Sequence, residues 1–259
     1  MHLADDDLED LVRAKRLLEA TSLAARMVNI LGVPIEIGFS RLPSSWFVRI
    51  QRISGKALQT AFKLAVLTIN DDISGDSSDH LHRVCAVVSG CIGGAFGLPA
   101  LAVELPVTTT IMLRSVADIA RSEGENLNSI EARLACLEVF ALGGKTRKAG
   151  GVQTGYYLIR SALTRSVSEV ANYIVEKGMV DEAAPVVVRL IANIANRFGL
   201  VVSEKAAATS IPIIGAVSGG IINNIFMDHF QKLARGHFII RRLERNYGVV
   251  CVMKEYERV

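Results

Sequence analysis

At 259 residues the chain is long enough to bury a sizeable core, and its length suits one large domain or two small ones. Half of it is hydrophobic but only 6% aromatic, an excess of Ala, Val, Leu and Ile that favours packed helices over aromatic-rich sheets. A formal charge of +3, with no dense basic stripe interleaved with aromatics, excludes nucleic acid as the expected partner.

The first residues, MHLADDDLEDL, are acidic and open on polar side chains, unlike a signal peptide. Leu8, Leu11, Val12, Leu18, Ala25 and Val28 then predict one helix from Asp5 to Leu31, ended by Gly32 and Pro34. GVPIEIGFSRLP reads as a linker. After Pro43 a long helix is expected, with Trp46, Phe47, Ile50, Ile53, Ala57, Ala61 and Leu64 along one stripe. The Asp-rich segment NDDISGDSSD lacks the spacing and final Glu of a calcium loop and reads as a solvated turn. His80 and His82 are two apart, so a helix would point them to different sides.

The chain is organised around Arg83 to Gly124. Val84 to Val103 carries no charge and would span ~30 Å as a helix, about the thickness of a bilayer's hydrocarbon core. Gly90, Gly93, Gly94, Gly97 and Pro99 interrupt it. Their four-residue spacing instead clears a groove for another backbone. A second helix is expected to enter near Pro106, with Glu104 just before it. Arg114, Asp118 and Arg121 would form its wet face, and Val107, Ile111, Val116 and Ile119 its buried face. The hydroxyls of Thr108, Thr109 and Thr110 are expected to bond back to helix carbonyls.

Asn128 and Glu131 read as a capping box for a helix through Leu142. GGKTRKAGG follows, a Gly-flanked basic loop holding Lys145, Arg147 and Lys148. It is no P-loop and reads as a solvated turn, with an anionic lipid surface as second choice. Tyr156 to Glu176 and Glu182 to Phe198 are two further helices, the latter with Pro185 in its first turn. Ala206 to Met227 is a second uncharged run with Pro212, Gly215, Gly219 and Gly220, so two Pro/Gly-marked segments can pack together. FIIRRLERNY, containing Arg241 and Arg242, reads as a basic amphipathic helix suited to an acidic membrane surface. Cys85, Cys91, Cys136 and Cys251 show no metal-binding or CxxC spacing and read as buried free thiols of a reducing compartment.

GLPALAVELPVTTTIMLRSVADIARSEGE and IPIIGAVSGGIINNIFMDHFQKLARGHFIIRRLE together resemble the EcsC family, over about Trp46 to Gly248. The resemblance implies an α-helical protein without an established reaction. The family takes its name from a member encoded beside an ABC transporter, which implies an accessory role there. Helical domains of some membrane-associated bacterial GTPases are a fainter likeness, and no nucleotide-binding motif accompanies it here. No catalytic residue is carried over.

Where the two segments meet, Glu104, Arg114, Asp118, Asn223, Asn224, Asp228 and His229 form the candidate polar cluster. A His beside an Asp suits a general base or a metal ligand, but adjacent helical residues diverge by about 100°, so a structural network is favoured. His237 reads as a partly buried or interfacial imidazole. No GxSxG elbow supports Ser-His-Asp chemistry. The expectation is an all-α single domain, with residues 1–43 an N-terminal helix and linker and 44–259 the core. It would act without catalysis, cofactor or metal at the cytoplasmic face of the inner membrane. Lipid or a membrane protein would be bound, with Lys145, Arg147, Lys148, Arg241 and Arg242 as contacts. The alternatives are a soluble, hydrolase-like enzyme with its site between the two segments, and a scaffold or oligomer.

Overall fold

Small and polar residues set where the helices begin and end. The computed structural model describes residues 3–19, 22–32, 34–69, 98–143, 155–178, 181–211 and 215–259; among these the fold is all-α, with ten α-helices and no strand. Helix α1, Asp5–Glu19, starts on three aspartates that match the positive end of its dipole. The single N-terminal helix expected through Leu31 is in fact two. Ser22 accepts a hydrogen bond from the Ala25 amide at 3.3 Å and starts α2, Leu23–Leu31. Gly32, at φ +69°, ends it with its amide on the Val28 carbonyl.

The expected linker is also a helix, α3, Ile35–Arg41. Gly38, which reads as a breaker in sequence, serves a close helix crossing: a Cβ there would lie 2.1 Å from the Ala207 carbonyl oxygen. Ser210 Oγ donates to the Gly38 carbonyl at 2.9 Å and fixes the same contact. Gly38→Ala must therefore push main chain apart, an expected loss of about 1–3 kcal/mol, read from the urea midpoint.

Helix α4, Ser45–Thr68, buries Ile50, Ser54, Ala57, Leu58, Ala61 and Phe62. Of the predicted stripe, Ile53 and Leu64 are half-buried and Phe47 is exposed, because the buried face is rotated toward Ser54 and Leu58. The Asp-rich loop, His80, His82, Cys85, Cys91 and Gly90 to Gly97 lie outside the described residues. A 3-10 turn, Leu98–Ala100, leads into α5, Leu101–Ser122, so Pro106 sits inside this helix rather than in its first turn. Its missing amide leaves the Ala102 carbonyl without the usual helical donor. Val116 and Ile119 are buried as expected, whereas Ile111 is half-buried and Val107 exposed.

Helix α6, Ile130–Leu142, is capped by Ser129 rather than Asn128: Ser129 Oγ accepts from the Ala132 amide and donates to Glu131. Every side chain from Leu134 to Leu142 is buried, the pattern of a helix enclosed on all sides. Helices α7, Gly155–Lys177, and α8, Pro185–Thr209, follow, and α8 runs on past the expected end at Phe198. The second uncharged run begins in the last turn of α8, and helix α9, Gly215–Tyr247, takes in the run from Gly215 to Met227 and the basic segment at its end. After Gly248, at φ +84°, α10 covers Val249–Arg258. Buried apolar residues from α1 to α10 form one connected core.

Side-chain pairs give the register. Along α5 and α9, Glu104 meets Asn223, Ser115 meets Gln231 and Glu125, just beyond α5, meets Arg241, so these helices run parallel. Helix α8 runs against α5, with Lys205 on Glu104, and against α4, where Gln51 lies over Gly199 and Lys63 reaches Glu182. One end of the bundle thus gathers the starts of α4, α5 and α9 and the end of α8, with α2 and α3 beside them.

Candidate functional site

At that end Lys205 is 2% exposed. Its ammonium donates to both Glu104 oxygens, at 2.7 and 2.9 Å, and sits 4.7 Å from the centre of the Phe226 ring. Asn223 Nδ2 donates to the same carboxylate at 2.9 Å and Thr108 Oγ1 at 2.5 Å. Burial alone would raise the Glu104 pKa. The Lys205 charge and the hydrogen bonds from Lys205, Thr108 and Asn223 outweigh it and hold the carboxyl below its ordinary value. Sequence reasoning paired Glu104 with Asn223 but missed Lys205. It also gave Thr108 to a helix carbonyl, a bond that Thr110 makes, on Pro106, at 2.9 Å.

The other expected members of the cluster lie elsewhere. Glu104 and Asp118 are separated by ~21 Å of helix rise, so one site cannot hold both. Asp118 pairs with Arg121 at 3.0 Å, and Arg114 and Asn224 are exposed. Asp228 is held by Arg26, and by Lys232 at 3.0 Å. His229 is buried, edge-on to Phe230 and close over Gly143. Glu104, Arg114, Asp228 and His229 therefore do not converge as the enzyme alternative requires.

A second buried polar group forms where α6, α7 and α9 meet. His237 is fully buried, not interfacial; its Nδ1 lies 3.0 Å from Tyr156 Oη, and its Nε2 3.9 Å from Glu138 Oε2. Burial, with Arg160 and Arg241 adding to it, lowers the His237 pKa well below its ordinary value, so the imidazole is neutral. Burial pushes Glu138 up to about 7 against the pull of Arg241 and Arg160. Nearby, Arg160 pairs with Glu244 at 2.6 Å, and Tyr157 donates to Glu244 at 3.3 Å. Within the group it is Glu138 that can hold a proton near neutrality, while His237 stays neutral. Among the described residues no cluster of three or more His, Cys, Asp or Glu side chains is arranged to hold a metal.

Arg241 and Arg242, expected to face lipid, turn toward carboxylates of their own chain. Arg241 grips Glu125 through two nitrogens at 2.8 and 3.1 Å, and Arg242 pairs with Glu123 at 2.7 Å and with Asp10. Lys145, Arg147 and Lys148 lie outside the described residues. Cys136 is a buried free thiol, as expected, with its pKa pushed up to about 12 by burial; Cys251 is in no disulfide and is only partly buried.

Large apolar side chains are exposed in several places, among them Leu67, Leu158, Val175 and Val250, and also at the Glu104–Lys205 end. Ile37, Phe47, Val48, Val103, Leu200 and Ile221 are all exposed there, Val48 at 65% and Val103 at 75%. Two helical stretches, Leu98–Ser122 and Pro185–Thr209, are long and apolar enough to cross a membrane by length and composition. Each turns one side into the bundle, where they share the Glu104–Lys205 pair.

No curated protein and no solved structure gives a significant match. The model of the EcsC protein family matches residues 42–243, from just before α4 into the last turns of α9. That span includes both buried polar groups and most of the core, and on it the chain belongs to the EcsC protein family.

Proposed function

We propose that this protein works at a membrane without catalysis, resting the apolar end of its bundle on the bilayer. The observation that supports this reading is that Ile37, Phe47, Val48, Val103, Leu200 and Ile221 are all exposed at the end of the bundle where α4, α5 and α9 start, a poor surface to leave to water. In sequence, the uncharged stretch that begins at Val84 joins the described chain at Leu98, at that same end. Helices α5 and α8 stay in the bundle in this reading, because leaving it would carry Glu104 and Lys205 into hydrocarbon. The protein then lies on the membrane rather than spanning it. Its cytoplasmic face, the anionic one, is the face proposed.

Fractionation of cells tests the reading. The chain is expected in the membrane pellet and to leave it with detergent, while Val48→Asp with Val103→Asp shifts most of it to the soluble fraction. Recovery of the unaltered chain in the soluble fraction from the outset would overturn the proposal.

A further inference from the structure

Between Ile37 and Ile69 the chain carries five basic residues, Arg41, Arg49, Arg52, Lys56 and Lys63, and no acidic one. Among the described residues only Lys63 of these meets a carboxylate, that of Glu182. The contrast with α9 is physical: there Arg241, Arg242 and Arg245 are each paired with Glu123, Glu125 or Asp10. Arg41, Arg49, Arg52 and Lys56 are all exposed and have no ion-pair partner among the described residues.

Placement makes these charges a surface. Residues four apart on a helix are neighbours, so Val48, Arg52 and Lys56 form one outward row of α4, with Arg49 beside it. At the N-terminal end of that row stand Phe47 and Val48, both exposed, and Trp46, half-buried, with the Arg49 guanidinium 5.5 Å from its ring centre. Cationic side chains next to an exposed aromatic and an aliphatic tip, with a Trp at the boundary, match the layers of a membrane interface. The rings and Val48 reach the acyl boundary while Arg and Lys stay among the headgroups. With three cations, Arg49, Arg52 and Lys56, and no anion along this face of α4, the headgroups that suit it are anionic.

We propose that the first half of α4 is an anionic-phospholipid docking surface, in which Arg49, Arg52 and Lys56 hold headgroup phosphates and Phe47 and Val48 enter the bilayer. This rests on the membrane reading above and adds the lipid class and the residues that select it. It also replaces the α9 arginines as the charged contact.

The experiment is sedimentation of the purified full chain with vesicles of phosphatidylcholine, or of phosphatidylcholine containing phosphatidylglycerol, at low and high salt. The unaltered chain is expected to bind the anionic vesicles much the more tightly, and to lose that preference at high salt. Arg49→Gln/Arg52→Gln/Lys56→Gln is expected to weaken anionic binding about 100-fold at low salt and leave phosphatidylcholine binding unchanged. Arg165→Gln/Arg189→Gln/Arg258→Gln removes the same charge from exposed positions elsewhere and should stay within about twofold of the unaltered chain. Equal losses in the two variants would overturn the docking surface. So would equal binding to the two vesicle types, which would leave the membrane reading standing. Failure of the unaltered chain to bind either vesicle would overturn both.

Discussion

Lys205→Ala is expected to destabilise the chain by about 3–5 kcal/mol, because it strands the Glu104 carboxylate in the core without its counterion. Thr108 and Asn223 still donate to Glu104, but two neutral donors do not replace an ammonium at 2.7 Å. The carboxyl then escapes by taking a proton, so its pKa rises where the native pair holds it down. The sign with pH follows. In the native chain the depressed Glu104 pKa contributes stability that is present above the unfolded carboxyl value and lost as pH falls through the folded one. The variant lacks that contribution, so the gap between the two chains is widest near neutrality and narrows in acid. Glu104→Gln combined with Lys205→Met removes both charges, keeps an acceptor for Asn223 and Thr108, and should recover most of the loss. Urea denaturation of the native chain and the two variants decides it. A Lys205→Ala loss below about 1 kcal/mol at neutral pH would show that the pair is not held as described.

Lys205 also shows where the sequence stops being readable. It stands one position before the uncharged run that begins at Ala206, so a search for charge-free segments excludes the one cation buried inside the helix. Its spacing was the available signal, since Val201, Lys205 and Ala208 share a face of α8 and Val201 and Ala208 are buried. Pro185 and Gly32 were legible because a missing amide and a positive φ act locally. Gly38 was not, because its reason is the main chain of Ala207, far along the sequence. The break after Glu19 was hidden by an apolar pattern that continues in phase through Ala25 and Val28. Arg241 and Arg242 looked like a lipid-facing row because their own segment is basic, and the carboxylate that neutralises Arg241 lies 116 positions away. Glu138 was hidden differently. A helix buried on every side has no polar stripe, so a carboxylate within LACLEVFAL carries no periodic cue.

That carboxylate gives the second large effect: Glu138→Gln is expected to stabilise the chain near pH 8. Burial takes the Glu138 pKa from 4.5 to about 7, so above pH 7 the native state holds a charge it would rather not hold. A raised carboxyl pKa contributes stability that is full below the unfolded value and is lost as pH climbs through the folded one. At about 1.4 kcal/mol per unit, the loss is on the order of 3 kcal/mol by about pH 8 and under about 1 kcal/mol at about pH 5. Glutamine has nearly the same shape and no charge to bury, so its advantage should grow by about 2–3 kcal/mol between those two pH values. His237 titrates in the opposite sense. Its depressed pKa gives stability that is present above about 6.5 and lost in acid, equally in the native chain and the variant to the extent that Glu138 is protonated there. Taking the difference between the two chains at each pH removes that shared contribution and leaves the carboxyl alone. Urea midpoints at the two pH values supply it. If the two stability curves ran parallel, Glu138 would have to be held in its charged form by partners stronger than Arg160 and Arg241, and the polar group between α6, α7 and α9 would be a fixed ion pair rather than a place to keep a proton.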